Sequence, residues 1–131
     1  MKKKKVILSL AMAAIMMAGS LSTVAARAVE FYGSSTGNFV GGNGSLSLYS
    51  NGANATTSVE NAYTAYVKVK CQFQSTLTST VIWRDYVQNS ATAYTSSSNA
   101  APVGHVALQA ISKHWGSQEG AAQTLTLTKR K

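Results

Sequence analysis

Apolar and polar residues alternate most regularly between Ala62 and Gln74. The odd-numbered positions carry apolar side chains, namely Tyr63, Ala65, Val67, Val69, Cys71 and Phe73. From Thr64 on, polar residues and one further tyrosine occupy the even-numbered positions. Because successive side chains of an extended strand point to opposite faces, this period of two predicts a strand with one buried and one exposed face. We predict that it forms the centre of an antiparallel β-domain.

Glycines punctuate the segment that precedes this strand. They interrupt every apolar run between Val29 and Gly44, which predicts short strands at a sheet edge. The Asn43-Gly44 pair predicts a hairpin turn, since both central residues of a type I′ turn require positive φ angles. Leu46 and Leu48 are then expected to face inward on the returning strand. Residues 51–58 are polar and are expected to form a loop.

The segments after the central strand also fit short strands. Residues 81–88 carry bulky side chains at both odd and even positions. This pattern predicts a strand that is covered on both sides or has an interface on its second face. Residues 90–99 predict a short strand that ends in a serine-rich turn. Val103–Trp115 fits either a strand or an amphipathic helix, and we favour a strand because its neighbours are β. Leu125 and Leu127 are expected to face inward on a last strand.

Together these elements predict an all-β fold. Six to eight short strands with turn signals between them are typical of a single small antiparallel β-sandwich or flattened barrel. Serine and threonine are abundant along the strands, and threonine suits the exposed face of a sheet.

The N-terminus has the pattern of a secretory signal peptide. Four lysines precede an apolar run from Val6 to Gly19, and small residues follow. The run is shorter than the roughly 20 residues that span a bilayer, so a permanent membrane anchor is disfavoured. We expect cleavage after Ala28, with Ala26 as the alternative. Residues 1–28 are thus predicted to be a signal peptide and residues 29–131 a secreted, extracellular β-domain.

Charge narrows the range of partners. Five of the 12 Lys and Arg residues lie within residues 1–28, which leaves seven cations against four acids, a net charge of +3. This mild excess favours anionic polymers or lipid head groups and is too small for a nucleic-acid binder. Cys71 is the single cysteine, so an intramolecular disulfide is impossible. Its parity predicts burial, with an intermolecular bridge as the alternative.

Catalytic and metal-binding patterns are sparse. His105 and His114 could be combined with Asp85 and a serine into a hydrolytic triad, but no nucleophile-elbow motif supports this. The two histidines are nine positions apart and lack the spacing of a zinc motif. Glycines 41, 42 and 44 lack the lysine and helix of a phosphate-binding loop. We expect no catalytic residue, no metal and no cofactor.

The most promising surface is the exposed face of the central strand. Its alternate positions carry Tyr66, Lys68 and Lys70, about 7 Å apart along the strand. An aromatic ring beside two cations can stack on a sugar or pair with a phosphate. Arg84 and Tyr86 would extend this predicted binding surface if the next strand pairs with the central one as a hairpin. The competing interpretation is a solvated face whose lysines discourage edge pairing.

In general character the chain resembles the small, secreted, Ser/Thr/Tyr-rich β-proteins of Gram-positive bacteria, some of which are bacteriocins that act on the cell envelope. The resemblance is one of character, and no motif carries it residue by residue. It implies a non-enzymatic protein that binds a cell-envelope polymer or surface protein. The alternatives are a self-associating structural or adhesive surface protein and, less favoured, a small secreted hydrolase.

Overall fold

The computed structural model describes residues 28–118 and 124–131, which form eight β-strands. The strands are β1 (Phe31–Phe39), β2 (Gly42–Tyr49), β3 (Gly52–Val59), β4 (Thr64–Ser75), β5 (Val81–Thr92), β6 (Tyr94–Ala100), β7 (His105–Gly116) and β8 (Leu125–Arg130). The predicted signal peptide lies outside the described residues, apart from Ala28. Within the described ranges, no helix is long and apolar enough to cross a membrane.

The strands form two four-stranded antiparallel sheets. Sheet A has the order β1-β2-β3-β6, and sheet B has the order β5-β4-β7-β8. The all-β antiparallel prediction is therefore confirmed. The central strand, β4, pairs with β5 on one side and β7 on the other, so it is an inner strand of sheet B. The Val103–Trp115 segment forms a strand from His105 onward, as favoured, and this strand pairs with β4 along nearly its whole length.

The inner faces of the two sheets share one core. Sheet A contributes small and aliphatic side chains, and sheet B contributes the larger ones at its centre. The core consists of Leu46, Leu48, Ala53, Ala55, Val67, Val69, Cys71, Phe73, Ala101, Ala107, Ala110 and Leu127. Every odd-numbered residue of β4 from 65 to 73 is fully buried, as its period of two predicts. Leu46 and Leu48 face inward, and Leu125 packs against the core beside Leu127.

Two segments that the sequence predicted to be loop or turn are strands. Residues 52–59 form β3, and the serine run belongs to β6. Both alternate small buried residues, such as Ala53 and Thr57 in β3, with more exposed polar ones. Small and hydroxylated side chains pack on the inner face of a sheet, yet they give little hydrophobic contrast in sequence.

The predicted hairpin exists, but its turn lies elsewhere. Phe39 pairs with Gly42, so Val40 and Gly41 form the turn, with Gly41 at φ +89°. Gly44 lies inside β2, where a Cβ atom would come within 2.5 Å of Cγ of His114. This glycine is thus required by packing between the sheets and not by a turn.

Side-chain hydrogen bonds join the sheets along both lateral edges. Beside β5, Ser97 Oγ donates to the Val87 carbonyl (2.7 Å), and Asn99 Nδ2 donates to the Asp85 carbonyl (2.9 Å). Asn89 Nδ2 returns a bond to the Ser96 carbonyl (3.0 Å). At the other edge, Ser35 Oγ donates to the Thr128 carbonyl (2.9 Å). We call the β5–β6 set the lateral seam.

Candidate binding face

The outer face of sheet B brings three lysines together. Lys68 and Lys70 lie on β4 on the side opposite the core, as predicted. The antiparallel register places Lys113 of β7 directly opposite Lys68. Like charges at directly opposed positions destabilise a sheet, so this pair is unfavourable for folding alone. A surface of this kind is suited to an anion placed between the two strands.

Aromatic rings lie close to the ammonium groups of Lys68 and Lys70. Lys68 Nζ lies 4.6 Å from the centroid of the Tyr86 ring and 6.0 Å from that of Trp115. Lys70 Nζ lies 5.0 Å from the Trp83 centroid and 5.2 Å from the Tyr86 centroid. These separations are within the range of cation–π attraction. The rings therefore position the lysine side chains.

A stacked aromatic pair lies at one end of this row. Tyr66 and Trp115 are cross-strand partners whose planes differ by 3° and whose centroids are 5.3 Å apart. We define the cationic face as the outer side of sheet B that is formed by Tyr66, Lys68, Lys70, Trp83, Tyr86, Lys113 and Trp115. It combines three lysines with four aromatic rings, of which Trp83 is exposed.

A β-bulge determines which β5 residues join the face. Val69 pairs with Val87 and Cys71 pairs with Arg84, so two residues of β5, Asp85 and Tyr86, oppose Lys70. Because of this extra residue, Tyr86 and Trp83 share the outer face, although their sequence parities differ. Arg84, the partner of buried Cys71, instead reaches sheet A, where it donates to the Ala100 carbonyl (3.1 Å).

The sequence prediction of the surface thus needs one correction. Arg84 does not lie on the outer face with Tyr66, Lys68, Lys70 and Tyr86. Trp83 occupies the position that was predicted for Arg84. Lys113 and Trp115 come from β7, whose partner strand could not be identified from the sequence. The available signal was their position in the alternation of β7, since Ser112 and His114, which alternate with them, face inward.

Of the three acids within the described residues, only Asp85 lies on a strand of sheet B. Of the four in the chain, Glu30 precedes β1, Glu60 follows β3 and Glu119 is outside the described residues. Asp85 lies at the bulge, where its Oδ1 accepts from the Tyr86 amide (2.7 Å). Partial burial, with a smaller effect of the Asp85 carboxylate, raises the pKa of Tyr86. The phenol accordingly remains a neutral hydrogen-bond donor at physiological pH.

The two histidines have separate environments. His114 is fully buried between the sheets, where Nδ1 is 2.8 Å from Thr57 Oγ1 and Nε2 is 2.6 Å from Ser112 Oγ. Burial lowers its pKa to about 4, although the Thr56 backbone partly opposes this shift. His105 begins β7, nine residues and roughly 30 Å of extended strand away. A site that uses both histidines is therefore sterically impossible.

Neither a metal centre nor a reactive thiol is found in the described part of the chain. No group of three His, Cys, Asp or Glu side chains is placed to hold a metal within residues 28–118 and 124–131. Cys71 is a free cysteine in the core, where burial raises the pKa of its thiol to about 12. Its predicted burial is confirmed, and an intermolecular bridge would require the core to open.

Comparison with known proteins adds no relatives to this description. No protein-family model matches the chain, and neither curated proteins nor solved structures show significant similarity to it.

Proposed function

We propose that the protein is a non-enzymatic secreted module that binds an anionic, sugar-containing polymer of the cell envelope through the cationic face. The observation that carries this proposal is the opposition of Lys68 and Lys113, with Lys70 beside them, among four aromatic rings. Phosphate groups would offset the repulsion between the lysines. Sugar rings would stack on Tyr66 and Trp115 at the end of the row.

The signal-like N-terminus supports an extracellular site of action. Residues 1–28 have the basic, apolar and small-residue regions of a secretory signal in the required order. Outside the cell, envelope polymers with phosphodiester or carboxylate groups are abundant anions. The outer face of a four-stranded sheet suits such a chain-like ligand, which needs contacts along its length and no deep pocket.

Charge removal tests the proposal. The double variant Lys68→Gln/Lys70→Gln should bind a phosphate-bearing envelope glycopolymer about 3- to 10-fold more weakly than the wild type, because exposed ion pairs contribute up to roughly 1 kcal/mol each. Its affinity should also depend less on salt, since screening acts fully on exposed charges. Titrations at low and high ionic strength, with intact Gram-positive cells and with the soluble polymer, measure both effects.

A matched control separates local from general electrostatics. Lys129→Gln/Lys131→Gln removes the same charge from β8 and the C-terminus, where Lys131 contacts Tyr32 and Lys129 lies against Gly33. This variant should bind like the wild type. Equal weakening of both double variants would show that net charge alone drives binding, and unchanged binding of Lys68→Gln/Lys70→Gln at both salt concentrations would refute the proposal.

A further inference from the structure

One end of the molecule carries an uncharged, apolar projection. The β4–β5 turn exposes Leu77 to 91%, and the β6–β7 connection exposes Val103 to 63%. The two connections adjoin, because the Thr76 amide and hydroxyl both donate to the Gly104 carbonyl (2.8 and 3.0 Å). Val81, Ile82 and Trp83, at the start of β5, are also exposed. We call these five residues the apolar tip.

The exposure of Leu77 is built into the turn. Ser75 Oγ accepts from the amides of Leu77 and Thr78, each at 3.2 Å. The Ser79 amide donates back to the Ser75 carbonyl (3.1 Å), with Ser79 at φ 61°. Gln74 Nε2 braces the same turn through the Ser79 carbonyl (3.2 Å). These bonds fix a conformation in which the leucine points away from the protein.

Every amide of this turn is satisfied within the protein. From Ser75 to Thr80, all six backbone N–H groups donate to a protein oxygen, the longest bond being from Thr80 to Thr78 Oγ1 at 3.4 Å. A water-exposed loop has no need for this, because water accepts from free amides. Internal bonding of these amides lowers the cost of moving the turn out of water, since each unsatisfied polar group in an apolar medium costs several kcal/mol.

The distribution of charged and aromatic residues around the tip is typical of a segment that lies at a membrane–water interface. Residues 75–83 and 101–104 contain no charged side chain. Trp83 lies behind Leu77, with Lys70 Nζ 5.0 Å from its ring centroid. Tryptophan is enriched at the boundary between lipid and water, and a lysine directly behind it can reach phosphate head groups.

The size of the tip argues against a protein partner. The two connections contain about nine residues, whereas a stable protein interface uses roughly 20 to 30 on each side. Insertion into a bilayer needs no such matching area, because each apolar side chain gains its own transfer free energy. We propose that the apolar tip inserts into the interfacial region of a lipid bilayer, with Leu77 and Val103 deepest and Trp83 at the head-group level.

Tryptophan emission from the full chain tests this insertion. In a Trp115→Phe background, Trp83 is the single tryptophan, so all tryptophan emission comes from the tip where it adjoins the cationic face, and quenching by acyl chains distinguishes insertion from head-group contact. Vesicles of phosphatidylcholine, and more strongly vesicles that contain phosphatidylglycerol, should shift this emission to shorter wavelength, and brominated acyl chains should quench it. Adding Leu77→Ser and Val103→Ser should raise the lipid concentration at half-maximal shift by about tenfold or more, because an apolar side chain of that size is lost from lipid contact.

Val40→Ser is the matched control. Val40 is an exposed valine (52%) in the β1–β2 turn, at the opposite end of the sheets, next to the end of β7. This variant should respond to vesicles like the parent. Lys68→Gln/Lys70→Gln should still respond to phosphatidylcholine, so polymer binding and lipid insertion can fail independently.

Three results would overturn the proposal. The first is Trp83 emission that both vesicle types leave unchanged. The second is an equal response of the parent and the Leu77→Ser/Val103→Ser variant whose fold is confirmed by circular dichroism. The third is a dimer in size-exclusion chromatography that this variant abolishes, which would assign the tip to a second copy of the chain.

Discussion

His114 is a titratable side chain held neutral by its surroundings. Both ring nitrogens have hydroxyl partners, so protonation would place an uncompensated charge between the sheets. Its pKa is lowered from 6.5 to about 4 in the fold. The folded state thus binds the proton more weakly than the unfolded state, and the stabilisation is complete above pH 6.5 and declines as the pH falls towards 4.

We expect the free energy of unfolding to fall by about 3 kcal/mol between pH 7 and pH 4 through this residue. Urea titrations at several pH values measure the loss. His114→Gln should be less stable at pH 7 but should lack most of this pH dependence, whereas His105→Gln should retain it. A His114→Gln profile parallel to that of the wild type would place the titration elsewhere.

At the scale of elements, the sequence predicts a strand where buried and exposed positions differ in hydrophobicity. It does not predict which strands pair with each other. The alternation in β4 and the inward leucines of β2 and β8 could be predicted because large apolar residues alternate with polar ones. β3 could not, and β6 could be predicted only in part, since alanine, serine and threonine serve both their buried and their exposed positions. The bulge that exchanges Arg84 for Trp83 on the cationic face arises from pairing between strands and has no local signature.

Substitution of Gly44 tests whether this glycine is required by packing between the sheets or by a turn. If the glycine serves sheet packing, Gly44→Ala should cost about 1–3 kcal/mol of stability, because its Cβ atom would overlap the His114 ring. If it serves a turn, a positive φ would be the cause, but its φ is not positive. Thermal or urea unfolding measures the cost, and Asn43→Ala, at the exposed neighbouring position, should be close to neutral. Equal stabilities of the two variants would contradict the packing role.

At the scale of the whole molecule, both sheets contribute to the core found in residues 28–118 and 124–131. All of its members lie between Leu46 and Leu127, in both sheets and the connection after β6. Residues 29–131 should therefore fold alone, with a β-type far-UV circular dichroism spectrum and one cooperative urea transition. Strong helical minima, or a non-cooperative transition, would show that the fold depends on residues 1–28.

The lateral seam affects the tendency of the protein to aggregate. An edge strand with free carbonyls can recruit further chains into a growing fibre, and β5 is twelve residues long with several exposed apolar side chains. Ser97 and Asn99 occupy carbonyls on this strand. Asn99→Ala would remove the hydrogen bonds to the carbonyls of Arg84 and Asp85 and leave these carbonyls free. We expect this variant, but not Ser98→Ala, to form thioflavin-positive fibres at concentrations where the wild type stays soluble, so that one amide side chain decides between a dispersed protein and an amyloid.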